Sequence, residues 1–212
     1  MTPLHRLLEA WTAGWAHSRS TPPPQPRAYG FELHVGLPGH VARHAMPALD
    51  PEAIRSLAEA IEQPGILLKV CAPADEVARV LPAGWRVTVV NTMMSAPLEG
   101  SLPAIDAPEG FTVSDADTSG AVRSIAVRRD GALAASGRIG LHDGHAVFDQ
   151  IETVPNFQRR GLGRLVMHCL REQALRAGAT RGVLVATDAG RALYTAIGWR
   201  VESPLTTVER IG

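Results

Sequence analysis

His145–Val154 (HAVFDQIETV), then Pro155-Asn156-Phe157, then Gln158-Arg159-Arg160-Gly161-Leu162-Gly163 is the stretch on which the reading of this chain turns. Its first part alternates like a strand, and the part after Gly161 carries helix-like periodicity to about Ala177. A glycine-bearing turn at a helix start leaves several backbone N–H groups without intrahelical partners, aimed at one point. The helix dipole adds partial positive charge there, which suits a phosphate or pyrophosphate. Glycine lets the turn bring its backbone close to such an anion with no Cβ in between. Arg159, Arg160 and Arg164 supply further charge.

Two other phosphate-binding turns fail on these residues. A dinucleotide-binding unit needs G-x-G-x-x-G, and Val166 stands where its third glycine belongs. A P-loop needs Gly-Lys-Ser/Thr, which the stretch lacks.

The segment resembles the GNAT superfamily of N-acetyltransferases, whose signature reads Q/R-x-x-G-x-G/A. The resemblance extends over about sixty residues. Upstream, Ile151-Glu152-Thr153-Val154-Pro155 is similar to the end of that family's fourth strand; downstream, Leu193-Tyr194 and Ile197-Gly198-Trp199 are similar to its L-Y-x-x-x-G-F/W element. The resemblance implies an α/β (α+β) fold, a mixed and mainly antiparallel sheet flanked by helices. It implies acetyl-CoA as co-substrate, with its pyrophosphate at Gln158, Arg159, Arg160, Gly161, Leu162, Gly163 and Arg164. Backbone groups of Ile151, Thr153 and Val154 would bind the pantetheine arm and polarise the thioester, and Pro155 cannot donate. Tyr194 would protonate the departing thiolate. An asparagine that contacts pantetheine in many relatives has no match in Thr187-Asp188-Ala189-Gly190.

Acetyl transfer to an amine also needs a base or a desolvating pocket, because an alkylamine has a pKa of about 10.4. Asp149 and Glu152 are the acidic candidates. Three apart, they face opposite sides of a regular strand unless a bulge intervenes. Cys71 and Cys169 are far apart and fit a reducing cytoplasm; Cys169 shares a helical stripe with Leu162, Leu165 and Val166, so it reads as a core residue. With no activated cysteine or serine, the expected mechanism is direct attack by a bound amine. His34, His40 and His44 invite a metal reading, but only His40 and His44 share a helical face and no acidic or cysteine ligand flanks them, so no metal is expected.

The 212 residues carry 45% hydrophobic and 20% charged side chains with zero formal net charge, ordinary for a soluble globular protein. No strong field draws the chain to nucleic acid or an anionic membrane, basic residues do not cluster, and the four tryptophans are too scattered for a stacking platform. No apolar run approaches the roughly twenty residues a bilayer requires. The expected location is the cytoplasm. Leu4, Leu7, Leu8, Trp11 and Trp15 recur at helical spacing and read as a packing helix, not a signal peptide.

Three regions are expected: residues 1–26, a helix and a proline-rich linker (Thr21–Pro26); 27–98, a small α+β unit walling the acceptor site; and 99–212, the acetyl-CoA-binding domain. Within the second, Tyr29–Val35, Gly65–Cys71 and Trp85–Met94 read as strands, and Pro51–Glu62 and Ala74–Leu81 as helices, Asp50 capping the former. Within the third, Val122–Arg128, Ala132–Leu141 and His145–Val154 read as antiparallel strands joined by Asp130-Gly131 and Asp143-Gly144. A strand over Gly182–Thr187, a helix over Ala189–Ile197 and a short closing strand near Trp199–Val201 follow, with Gly178 ending the long helix. No internal repeat is visible. GNAT domains place two helices between their first and second strands; here only a short connection separates Phe111–Asp115 from Val122–Arg128. Either the N-terminal unit takes over that wall, or the family's first strand is Tyr29–Val35. The acceptor is expected to be the primary amine of a small molecule or peptide. A protein N-terminus or lysine, and a non-catalytic acyl-CoA sensor, stay open as alternatives. Exposed sheet edges of such folds often pair, which leaves a homodimer open.

Overall fold

A computed structural model describes residues 2–100, 103–117 and 120–211. The chain begins with helix α1 (Pro3–Arg19), capped by the Thr2 hydroxyl, which accepts from the His5 N–H. Three strands follow, β1 (Gln25–Arg27), β2 (Gly30–Leu37) and β3 (His40–Met46), then α2 (Pro51–Ala60), β4 (Ile66–Val70), α3 (Ala74–Val80) and β5 (Trp85–Pro97). The C-terminal half contributes β6 (Phe111–Asp117), β7 (Val122–Arg129), β8 (Ala132–His142), β9 (His145–Thr153), α4 (Leu162–Arg176), β10 (Arg181–Ala186), α5 (Asp188–Ala196) and β11 (Arg200–Arg210). Ser101-Leu102 and Thr118-Ser119 lie outside the described residues.

All eleven strands form one sheet in the order β1-β2-β3-β4-β11-β5-β10-β9-β8-β7-β6. It is mixed and mainly antiparallel, with β3–β4 and β9–β10 as its parallel pairs. The proline-rich linker becomes an edge: Pro26 sits in β1, whose outer side has no partner strand, where a missing N–H does no harm. Edge strand β6 pairs antiparallel with β7, so Tyr29–Val35, at the far end of the sheet, does not serve as the first strand of the C-terminal half.

The strand order contains a repeat that the sequence hides. The segment β3–α2–β4–α3–β5 and the segment β9–α4–β10–α5–β11 run through the same succession of parallel pair, helices and long strand. Their last strands are exchanged: β11 lies beside β4, and β5 lies beside β10. The stretch 27–98 therefore shares hydrogen bonds with both strands that follow α4.

Several boundaries differ from expectation. His40–Met46 is a strand, so His40 and His44 do not share a helical face; His40 is exposed at the start of the strand and His44 is buried further along it, where its Nδ1 meets Tyr29 Oη at 2.6 Å. The closing strand runs on to Arg210, through Pro204, with register shifts that accommodate it.

The core lies on both faces of the sheet. Helix α4 packs Leu162, Leu165, Val166 and Leu170 against Ile139, Phe148 and Leu184. Helix α1 packs Leu8, Trp11 and Trp15 against Phe31, Leu33, Val147 and Val183 on the opposite face. Backbone contact allows this: a Cβ on Gly140 would lie 1.9 Å from the Gly14 carbonyl oxygen. Contacts of α1 reach β2 and β3 on one side and β8, β9 and β10 on the other, so the sheet curls around it.

Candidate active site

Strands β9 and β10 pair only from His145–Phe148 to Arg181–Leu184. Beyond that point β9 runs on to Thr153 beside β8, and β10 to Ala186 beside β5, and the two separate. A parallel pair that parts in mid-sheet leaves a gap edged by backbone groups without cross-strand partners. A bulge shapes the β9 edge. Gln150 has φ of 52°, and Asp149 pairs with Arg138 while Glu152 pairs with Ser136, so Gln150 and Ile151 stand against Gly137 alone. The extra residue changes which way the acidic side chains point. Ile151 packs toward Val166 and α4 at Gly137, which leaves Asp149 and Glu152 together on the α1 face.

At the end of the gap the chain turns through Pro155–Phe157 into α4. Arg159 (φ 61°) and Gly161 (φ 79°) both take the left-handed conformation, and no side chain caps the helix at Gly161. A Cβ on Gly161 would meet nothing within 4 Å, so the space over the free N–H groups is open. Gly163 serves packing instead: a Cβ there would come 3.2 Å from Leu193 Cδ2 of α5. Gln158 Nε2 donates to the Thr153 carbonyl at 3.3 Å, tying the turn to β9. Arg159, Arg160 and Arg164 are exposed around the turn, while Leu162 is buried in the core. Between α4, the end of β5 and the turn that follows α5 lies a cavity of about 370 Å³, lined by Leu98, Phe148, Met167 and Trp199 and also by Arg164.

On α5, Tyr194 is 8% exposed and packs with Trp199 against the α4 core. Gly190 makes room for its ring, since a Cβ there would lie 2.9 Å from Tyr194 Cε2. Burial, with a contribution from the charge of Asp149, pushes the phenol up to about 12. It therefore holds its proton throughout the physiological range.

The gap between the parted strands thus runs into an uncapped, glycine-led helix start. The family model described as Acetyltransferase (GNAT) family matches residues 94–199, half of the 212-residue chain. The chain belongs to the GNAT acetyltransferase family. No curated protein sequence matches it. In fold it is similar to a GCN5-related N-acetyltransferase from Kribbella flavida, at 17% identity and a TM-score of 0.71, covering all of this chain and 97% of that one. It is also similar to a GNAT-family protein from Novosphingobium aromaticivorans (18% identity, TM-score 0.59, 96% and 98% covered). A GCN5-related N-acetyltransferase-like protein from Streptococcus suis is similar too (13%, TM-score 0.56, 82% and 80% covered).

The GNAT signature left one side of the gap unread. Asp149 is held by three bonds from the end of α1: Arg19 Nε at 2.6 Å, Arg19 Nη2 at 2.9 Å and Ser18 Oγ at 2.6 Å. Arg138 Nη1 donates to the Ser18 carbonyl at 2.9 Å. The Asp149 carboxylate is thus occupied, and the free carboxylate at this mouth of the gap is Glu152, which is exposed. One backbone candidate is also corrected. The Val154 N–H donates to the Ala134 carbonyl at 2.9 Å, so strand alternation turns Ile151 and Thr153 to the gap and Val154 away from it. Ser18 and Arg19 had no signal in the sequence, being about 130 residues from their partner. Among the described residues no group of three His, Cys, Asp or Glu side chains is placed to hold a metal, and no helix is long and apolar enough to cross a membrane.

Proposed function

We propose that this GNAT protein transfers the acetyl group of acetyl-CoA to a primary amine of a small molecule or peptide by direct attack. The observation that carries this reading is the β9–β10 gap ending at the uncapped start of α4. The pyrophosphate sits on the N–H groups after Gly161, with Arg159, Arg160 and Arg164 around it. The nucleotide end continues past Arg164 toward the cavity between α4 and the end of β5. Pantetheine fills the gap and replaces the missing strand pairing, taking hydrogen bonds from Ile151 and Thr153, and the thioester carbonyl is polarised by a backbone N–H of β9.

Glu152 takes the proton of the incoming ammonium, directly or through water. The nitrogen lone pair forms the C–N bond as the carbonyl π electrons move to oxygen. Collapse of that intermediate breaks the C–S bond; the nitrogen, cationic after attack, gives a second proton to solvent water, which balances the one gained by sulfur. Tyr194, neutral and buried, gives the hydrogen bond and then the proton that the thiolate requires. Asp149 positions the end of α1 and is not the base.

The test is thiol release from acetyl-CoA with an amine panel, paired with mass detection of the acetylated product. Glu152→Gln should lower kcat by roughly 10²-fold, the usual scale of general acid–base catalysis. Thiol release without any acetylated amine contradicts the reading.

A further inference from the structure

The α1 face beside the gap holds more positive charge than its carboxylates answer. Arg43 of β3 stacks its guanidinium 4.4 Å from the centre of the Trp15 ring, and Arg19 lies over the same indole at 5.6 Å. Arg43 Nε is buried with no hydrogen-bond partner, and the guanidinium makes no ion pair among the described residues. Asp149 is close enough for its charge to act on Arg43, but its oxygens are taken by Arg19 and Ser18.

Lys69 of β4 is the chain's one lysine, and it is 7% exposed. Its ammonium is bonded to a neutral group, the Thr207 hydroxyl at 3.0 Å. It pairs in register with Ala45, two residues from Arg43 on the same face of β3, and the two positive charges act on each other. Neither Asp149 nor Glu152 forms an ion pair with Arg43 or Lys69. Burying an uncompensated charge costs several kcal/mol. Lys69 is buried and Arg43 half-buried here with no countercharge bonded to either, and Arg43 feels the charge of Asp149 on β9.

Resting on the acetyl-transfer reading, we propose that the acceptor is an amine that also bears a carboxylate, and that Arg43 and Lys69 hold that carboxylate while the amine faces Glu152 at the gap. The planar fork of Arg43 matches a carboxylate in two parallel hydrogen bonds. Because the sheet curls around α1, side chains of β3 and β9 lean toward the same indole although four strands separate them. The acceptor class is then that of amino acids and of peptides with a free C-terminus.

The experiment is calorimetric titration of the full chain, saturated with desulfo-coenzyme A, with matched pairs that differ by the carboxylate alone. Suitable pairs are 5-aminopentanoate with butylamine, leucine with isoamylamine, and a dipeptide with its C-terminal amide. The carboxylate-bearing member should bind roughly 10- to 100-fold more tightly in at least one pair, the scale of a charge-assisted contact. Arg43→Gln should erase the difference, and Lys69→Met should reduce it. Equal or undetectable binding of both members of every pair in the wild type overturns the proposal, whether or not the variants fold. So does a preference that survives both substitutions. Thiol release measured in parallel separates the two claims. Tight binding without turnover refutes acetyl transfer to these amines and leaves the carboxylate site standing. Equal acetylation of both members keeps the transfer and removes the site.

Discussion

Tyr194 and Asp149 sit on opposite faces of the gap, and their environments give them different work. The phenol lies among Leu193, Trp199 and the α4 core, where its ionised form is disfavoured. The carboxylate is bonded by three donors from α1. Tyr194→Phe should therefore lower kcat by roughly 10²-fold with donor affinity unchanged, read from initial rates over a range of acetyl-CoA concentrations. Full activity would take the tyrosine out of the mechanism. Lys69 makes a separate prediction. Burial and the charge of Arg43 push its ammonium down to about 8 from 10.5. A base with a depressed folded pKa leaves the unfolded chain binding more protons between those two values, so stability rises as pH climbs through that window. Denaturant unfolding should show wild type gaining stability relative to Lys69→Met between pH 7.5 and 10; a constant difference would contradict the burial of a charged amine.

At the scale of elements, one close contact sets the acceptor side. The backbones of α1 and β8 touch at Gly14 and Gly140, and only this approach brings Ser18 and Arg19 onto Asp149. Gly140→Ala has no room for its methyl, since the contact is with backbone and not with a flexible side chain. It should cost about 1–3 kcal/mol, the usual penalty of overpacking, measured as a lower unfolding midpoint. The acceptor KM should rise more than the donor KM, because α4 packs on the other face. The same scale separates what the sequence disclosed from what it hid. Helix α4, the β7–β8–β9 hairpins and the Gly161 turn rest on local signals, namely periodicity, Asp-Gly turns and a glycine at a helix start. Strand β3 was lost because His40-Val41-Ala42-Arg43-His44 has no clean alternation of apolar and polar residues. The long reach of β11 was lost because Glu202-Ser203-Pro204 reads as a stop, whereas shifts in register carry the strand past it.

The whole molecule is two similar strand–helix successions that exchange their last strands. No local pattern in the sequence reports an exchange between β5 and β11, because their pairing joins residues as distant as Trp85 and Arg210. Nor did any report that Asp149 would find its partners in α1. The two halves are not equivalent as anion seats. Strands β3 and β4 stay paired from Ala42–Ile66 to Met46–Val70, whereas β9 and β10 part. Helix α2 is capped by the Asp50 carboxylate, which accepts from the Glu52 and Ala53 N–H groups and would repel a phosphate; α4 begins uncapped. One donor site per chain follows, and the N-terminal half turns its charge, through Arg43 and Lys69, toward the acceptor.

Calorimetric titration of acetyl-CoA into the wild type and Gly161→Asp tests this most directly. Aspartate tolerates the left-handed backbone better than most residues and finds open space at 161, so the variant should fold, while its carboxylate faces the pyrophosphate. The account predicts one site per chain in the wild type and its loss in Gly161→Asp. Two equivalent sites, or undiminished binding by the variant, would contradict it.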